Sequence, residues 1–526
     1  MMTNRIITFL LTGSLLAAAG CTPARTSGGQ GAEGYYREQH RPQYHFTPPS
    51  GWMNDPNGLV YYKGEYHLFY QHNPASTVWG PMHWGHAVSR DLVHWEHLPI
   101  ALYPDSLGYI FSGSIVIDEN NTTGFAPPGC GEKALVAVYT CHNMEYERAG
   151  RQDRESQAIA YSLDRGRTWT KYAGNPVLPN KGDVDFRDPK VTWHEPTKKW
   201  IMPLAVGDYL EIFVSKDLKK WEYASTFGKN DGAHGGVWEC PDLFPLRTRE
   251  GVEKWVLIQN MGRGAVNGGS GTQYFIGSFD GRTFKNDNPP EKALWLDYGA
   301  DNYAGVTYFN APDQRRILIG WMSNWFDYAQ STPTSTWRSS MTVPRDLWLE
   351  NTPEGFRLFQ KPSPELQSLV KKSGKIGKQV IGRDGWKMRV PVLHELDLYF
   401  DMKSCSATAW GYKLKNSRGE QVVITLDVRG KIVTVDRSGS GKTSFSAEFP
   451  KKHSAPVSFA DIFHMRAYAD ASSLELFLAD GAACISEIFF PNEDFSEAEF
   501  FAEGGSITLL PISSVNKLKS VWNKQK

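Results

Sequence analysis

"SRDLVHWEH", residues 89–97, places a Ser-x-Asp turn a few residues ahead of a tryptophan. The same arrangement returns as "SLDRGRTWTKY" from Ser162, "SKDLKKWEY" from Ser215 and "SFDGRTFKN" from Ser278, at intervals of 73, 53 and 63 residues. A polar turn followed by an aromatic strand, repeated at such intervals, is the pattern of one motif per propeller blade. Chance recurrence of Ser-x-Asp turns is the competing reading, and the aromatic keeping step in all four copies argues against it. With a final unit around "RRILIGWMSNW", residues 315–325, the count comes to five blades. Between these marks, short β-prone runs alternate with Gly, Asn, Asp and Pro as far as residue 350, and helical periodicity is scarce.

From about residue 375 the texture changes. "LHELDLYFDM", "EQVVITLDVRGKIVTVDR" and "MRAYADASSLELFLAD" alternate apolar and polar positions around tight turns, as the strands of a β-sandwich do. The expected fold is therefore all-β, a five-bladed β-propeller over 41–350 followed by a C-terminal β-sandwich over 375–526. Residues 351–374 read as a linker with the one substantial helix.

The first 20 residues read as a signal peptide. Arg5 precedes a short apolar run that ends in Ala18-Ala19-Gly20-Cys21. This ending resembles a bacterial lipoprotein box, with Cys21 as the lipidated residue and 21–40 as a Gly/Ser-bearing tether; ordinary cleavage is the alternative. The expectation is an exported protein held in the cell envelope through an N-terminal lipid anchor. Lys+Arg and Asp+Glu are 57 each, so the net charge is zero and nucleic acid is not an expected partner. Beyond Cys21 the five cysteines are scattered and make no disulfide framework, although Cys130 with Cys141 is one conceivable pair. His83 and His86 in "HWGH" read as packing residues, and neither a metal nor another cofactor is expected.

Propeller chemistry gathers where inner strands converge on the channel. Three acids stand in β-prone or aromatic context, in separate blades: Asp55 in "WMNDPNG", Asp188 in "VDFRDPKVTW" and Glu239 in "HGGVWECPDLFPL". Each alone reads as a strand cap or loop acid; together they suit glycoside hydrolysis. "WMNDPNG", "FYQHNP", "WGHAVSRDLVHW", "FSGS" at 111–114, "FRDP" and "WECPDLF" resemble glycoside hydrolase family 32, the invertases, inulinases and levanases, in order and from about residue 40 onward. The resemblance implies Asp55 as nucleophile, Glu239 as acid and then base, and Asp188, oriented by Arg187, as a partner of fructose hydroxyls. It also implies sugar contacts from Asn54, Gln71, Trp79, Phe111 and Ser112, and from Asp301, Tyr303 and Trp321 in "LDYGADNYAG" and "GWMSNW". Trp84, Trp95 and Trp221 read as blade packing.

"IFSGS", "DYGADNYAG" and "PTSTWRSSMTVPRDL" look more like levanases and exo-inulinases than sucrose-specific invertases. The leading expectation is a retaining fructan hydrolase acting on levan or inulin and releasing terminal fructose. An endo-levanase is the runner-up; an invertase, a silent fructan-binding propeller and an inverting arabinanase-type propeller stand behind it.

Overall fold

The computed structural model describes residues 35–522, and the expected signal peptide and Cys21 lie outside them. Five four-to-five-stranded antiparallel blades occupy residues 51–362. Their inner strands are Gly51–Tyr62, Tyr109–Asp118, the split pair Phe186–Arg187 and Thr192–His194, Trp238–Arg247 and Tyr303–Thr307. The ring is closed by backbone pairing: Trp337–Arg338 runs parallel to Gly51 and Trp52, and Phe309 bridges Leu59 and Tyr61.

The four Ser-x-Asp turns occupy equivalent positions, each joining the third strand of its blade to the fourth. In three of them the serine hydroxyl donates to the aspartate two residues on, at 2.7–3.3 Å. The indoles of Trp95, Trp169 and Trp221 then donate back to the carbonyl three residues earlier, which locks the turn. In the fourth copy Asp280 caps the backbone N–H groups of Arg282 and Thr283. The fifth unit differs: Arg316–Met322 is the second strand of its blade.

The fifth blade does not stop at 350. Gly355–Pro362 pairs with Arg345–Thr352 as its outer strand, and Val370–Lys375 already pairs with Ser514–Leu518 in the sandwich. The expected linker is thus mostly strand, and its expected helix is a 3-10 segment, Pro364–Leu369. The α-helix seen among the described residues is Met144–Arg148, capped by Asn143. The expected tether is also shorter, since Tyr36 stacks on Trp522 at 4.1 Å and Arg41 is fully buried. Cys130 and Cys141 are both free thiols.

The sandwich sets an eight-stranded sheet against a six-stranded one. Alternation in His394–Asp401, Ala409–Lys415 and Gln421–Asp427 sends Leu396, Leu398, Trp410, Tyr412, Ile424 and Leu426 into a common core. The seam with the propeller combines apolar clusters, such as Val93 and Val343 with Tyr468 and Phe477, with buried charges. Arg345, fully buried, donates to Asp297 at 2.9 Å, to Ser486 at 2.6 Å and through Nε to Glu475 at 3.2 Å. His45 lies between Asp470 at 2.7 Å and Glu475 at 2.8 Å; burial opposes its charge, but the two carboxylates push it up to about 9. Buried charges that are fully paired cost a great deal to separate.

Candidate active site

Four of the inner strands lose register near the channel mouth, between Met53 and Pro56, Ile110 and Gly113, Glu239 and Asp242, and Tyr303 and Val306. The fifth, in blade 3, breaks outright, with Asp188 at φ 66° in the gap between its two pieces. A bulge puts two residues opposite one and re-aims a side chain. Here four blades bulge and the other breaks, and the residues at these irregularities include Asn54 and Asp55, Phe111 and Ser112, Asp188, and Cys240 at φ 46°. Non-glycine residues at positive φ carry local strain, which the surrounding sheets over-determine.

The outcome is a pocket of about 240 Å³ lined by Asn54, Asp55, Gln71, Trp79, Phe111, Ser112, Arg187, Asp188, Glu239 and Tyr303. Asp55 Oδ1 accepts from Asn54 at 2.9 Å, and Trp52 in turn holds Asn54 at 2.6 Å. Asp55 Oδ2 accepts from Ser112 Oγ at 2.6 Å and from Cys240 Sγ at 3.5 Å. The backbone N–H of Cys240 donates to Asp188 Oδ2 at 3.1 Å, and its thiol reaches the same oxygen at 3.6 Å. Burial first, then the charges of Asp188, Asp55 and Glu239, pushes the Cys240 thiol well up, so it stays a donor rather than a thiolate.

Glu239 faces different company. Arg187 donates to its Oε1 from Nε at 3.1 Å and from Nη2 at 3.0 Å, while the Tyr303 hydroxyl donates to Oε2. Burial is the largest influence on the Glu239 carboxyl and the Asp55 charge adds to it; Arg187 and Tyr303 pull the other way, and the net direction is upward. Asp188 is pushed well above the ordinary carboxylate range, by burial first and then by Glu239 and Asp55 against Arg187. Glu239 and Asp188 are thus both disposed toward their protonated forms by burial and by neighbouring charge.

Two sequence expectations land elsewhere. Asp301 is fully buried at the sandwich seam, where Arg437 donates to it, Tyr328 binds it at 2.7 Å and the Ile488 N–H at 2.9 Å. Its own backbone is tied to Ser486, so the chain turns toward the channel only at Tyr303. Trp321 is fully buried behind the pocket, packed between Trp52 and Trp325. Trp325, past the strand end and within the same "GWMSNW" stretch, lines the pocket instead. His142, Glu147, Arg154, Glu155 and Asp185 also line it without having been singled out. Asp185 stands two residues before Arg187, a usable signal; Glu155, at the start of an ordinary strand, offers none.

Comparison with known proteins agrees with this geometry. The Glycosyl hydrolases family 32 N-terminal domain matches residues 45–362 and the Glycosyl hydrolases family 32 C terminal domain residues 365–519. The levanase of Bacillus subtilis (strain 168) is 49% identical over 500 residues, 93% of this chain and 72% of that protein. The extracellular exo-inulinase of Aspergillus awamori is 36% identical over 93% of this chain and 96% of its own length. The crystal structure of exo-inulinase from that organism superposes with a TM-score of 0.85 at 35% identity, covering 93% of this chain and all of the other. The β-fructofuranosidase of Schwanniomyces occidentalis complexed with fructosyl-erythritol superposes at 0.82 with 32% identity, over 92% of this chain and 98% of that one. Family domains covering almost the whole described structure leave no ambiguity: the chain belongs to glycosyl hydrolase family 32.

Proposed function

We propose that this protein is a retaining fructan hydrolase that removes terminal fructose from levan or inulin. The observation that carries the reading is the pairing of two unlike carboxyl groups in one pocket, Asp55 held by donors and Glu239 pushed toward its protonated form. Asp55 attacks the anomeric carbon of a fructosyl unit while Glu239 gives its proton to the departing oxygen, and an ester to Asp55 forms as the glycosidic bond breaks. Once Asp55 is esterified its negative charge is gone, which lowers the proton affinity of Glu239. Glu239 is then suited to take a proton from the incoming water, whose oxygen displaces Asp55 and restores the original configuration. Asp188 accepts hydrogen bonds from ring hydroxyls of the same unit, and Asn54, Gln71, Trp79, Phe111, Ser112 and Tyr303 surround it. Arg187 acts on Glu239 directly, through the two hydrogen bonds to Oε1.

Exo-action is supported by the pocket volume. At about 240 Å³ it lies below the ~300–1,000 Å³ of sites for drug-sized ligands, and so suits one sugar unit rather than a threaded chain. The names of the Bacillus subtilis and Aspergillus awamori relatives, levanase and exo-inulinase, point the same way. On levan, inulin and sucrose, early products should be fructose alone from the polymers, with reducing ends rising before viscosity falls. A ladder of oligosaccharides with early viscosity collapse would replace this reading with endo-cleavage. Sucrose as clearly the best substrate would make the enzyme an invertase.

Export is supported by the apolar leader and by the word extracellular in the name of the Aspergillus awamori relative. Lipid anchoring rests on Cys21 and its Ala-Ala-Gly lead-in. In cells fed labelled palmitate, label should enter the wild-type protein and be absent from Cys21→Ser; a soluble, unlabelled wild type would remove the anchor.

A further inference from the structure

Among the residues that line the pocket, Glu155 has the burial and charge of a working residue and is not one of the three acids already given a role. It opens the third strand of blade 2, Glu155–Ser162, and pairs in register with His142, the last residue of Ala134–His142. Its side chain is 1% exposed. Its Oε1 accepts from Arg187 Nη1 at 3.1 Å and lies 3.2 Å from His142 Nδ1, while Oε2 has no hydrogen-bond partner among the described residues. A buried carboxylate so sparsely satisfied is expensive, and such groups call for an explanation.

The explanation lies one residue further in. Arg187 Nη1 is gripped by two acids, Glu155 and Asp185 at 2.7 Å, and Asp185 is itself fixed by Arg154 at 3.0 Å. With that corner of the planar guanidinium occupied, the opposite edge, Nε and Nη2, is turned onto Glu239 Oε1. A guanidinium presents its donors in a rigid fork, so holding one corner aims the rest. His142 completes the line: its Nε2 lies 3.1 Å from Glu147 Oε2, and its ring stacks on Phe111 of the pocket wall at 4.3 Å.

The geometry points to Glu155 as a positioning residue that acts through Arg187 on the Glu239 carboxyl, selecting Oε2 as the oxygen that carries the proton. Arg187 spends two donors on Oε1, whereas Oε2 receives one from Tyr303 and keeps a lone pair for the proton. Glu155 also offsets the Arg187 charge, which otherwise favours the carboxylate form of Glu239 too strongly for an acid. The charged and titratable groups bearing on this balance are His142, Arg154, Asp185 and Arg187 around Glu155, and Arg187, Tyr303, Asp55, Asp188 and Cys240 around Glu239. The Glu155 carboxyl meets burial that would raise it, yet Arg187 and His142 hold it down at about 2, so it is anionic throughout the working range.

This inference rests on the acid role of Glu239, and the experiment keeps the two apart. The rate kcat/KM on levan is followed against pH for wild type, Glu239→Ala, Glu155→Gln and Glu155→Asp. The alkaline limb should vanish in Glu239→Ala; if it survives there, the acid assignment fails first. In Glu155→Gln the amide oxygen can still accept from Arg187, but the negative charge that offsets it is gone, which favours ionised Glu239, so the limb moves to lower pH. Activity at neutral pH should then fall roughly tenfold, and by a smaller factor on the acid side, where Glu239 is protonated in both proteins. Glu155→Asp keeps the charge but draws it back by one methylene, so kcat falls a few-fold with the limb in place. A limb unmoved in Glu155→Gln, with loss equal at every pH, would reduce Glu155 to a structural support. Should that variant not fold, Glu155→Asp decides: wild-type kcat, or a displaced limb, overturns the inference.

Discussion

Asp55→Ala is expected to lower kcat on levan by on the order of 10⁴–10⁶-fold while the protein stays folded. No neighbour can take over the nucleophilic role. Ser112 and Asn54 are donors to Asp55, Asp188 is occupied by the Cys240 backbone, and the Cys240 thiol is held protonated by burial and by the surrounding acids. The fold should tolerate the change, because two opposing effects meet. Ser112 Oγ and the Asn54 amide lose an acceptor, at about 1–3 kcal/mol for each group left unsatisfied. Against this, one of three mutually repelling carboxylates leaves the pocket, and a site that opens to solvent lets water take the freed donors. Turnover and the thermal unfolding midpoint, measured on the same preparation, check both halves. A folded variant within tenfold of wild type would end the nucleophile assignment. An unfolded one would mean that the bulge at 54–55 depends on the Asp55 hydrogen bonds for its shape.

Glu239→Ala should cost about 10²–10⁴-fold on levan, where the departing sugar alkoxide needs a proton. The discriminating substrate is fructosyl fluoride, whose leaving group needs none. Its first step should proceed within roughly tenfold of wild type, and the covalent fructosyl-enzyme should then accumulate because the attacking water lacks a base. Added azide, a nucleophile that requires no deprotonation, should release it as fructosyl azide. The pH dependence follows from the same role. The Glu239 carboxyl is raised above its ordinary value and acts first in its protonated form, so wild-type activity falls as pH rises through that raised value. Without Glu239 that alkaline limb is absent. Equal losses on levan and on the fluoride would show that Glu239 supports the pocket rather than transferring a proton.

Much of this molecule was open to reading along the chain. The Ser-x-Asp turn and its trailing aromatic are local devices, closed by hydrogen bonds within a few residues, so their spacing records the blades directly. The two-residue alternation of the sandwich strands is local in the same sense and marks which side chains enter the core. Asp55, Asp188 and Glu239 stood out because each sits in a run of residues that a simple loop would not need. The 351–374 segment misled for a related reason. Pro, Glu and Lys there look like linker chemistry, whereas pairing with Arg345–Thr352 makes Gly355–Pro362 an edge strand that tolerates them.

What the chain alone determined, then, was periodicity and local chemistry: an all-β fold, five blades, a sandwich, and three acids in separate blades. Tertiary structure decided where side chains point once the blades converge. Asp301 and Tyr303 are two residues apart, a spacing that a regular strand would put on one face, yet the strand begins only at Tyr303: Asp301 meets Arg437 at the seam and Tyr303 meets Glu239 in the pocket. Trp321 and Trp325 divide in the same way between core and pocket wall. Glu155 acquires its place only because blade 2 lays it beside Arg187 from blade 3, 32 residues along the chain. A bulge shifts side-chain direction by one position, and whether a strand bulges depends on partners tens of residues away. Direction at a convergence point is therefore a property of the packed ring, while the repeat that builds the ring is a property of the sequence.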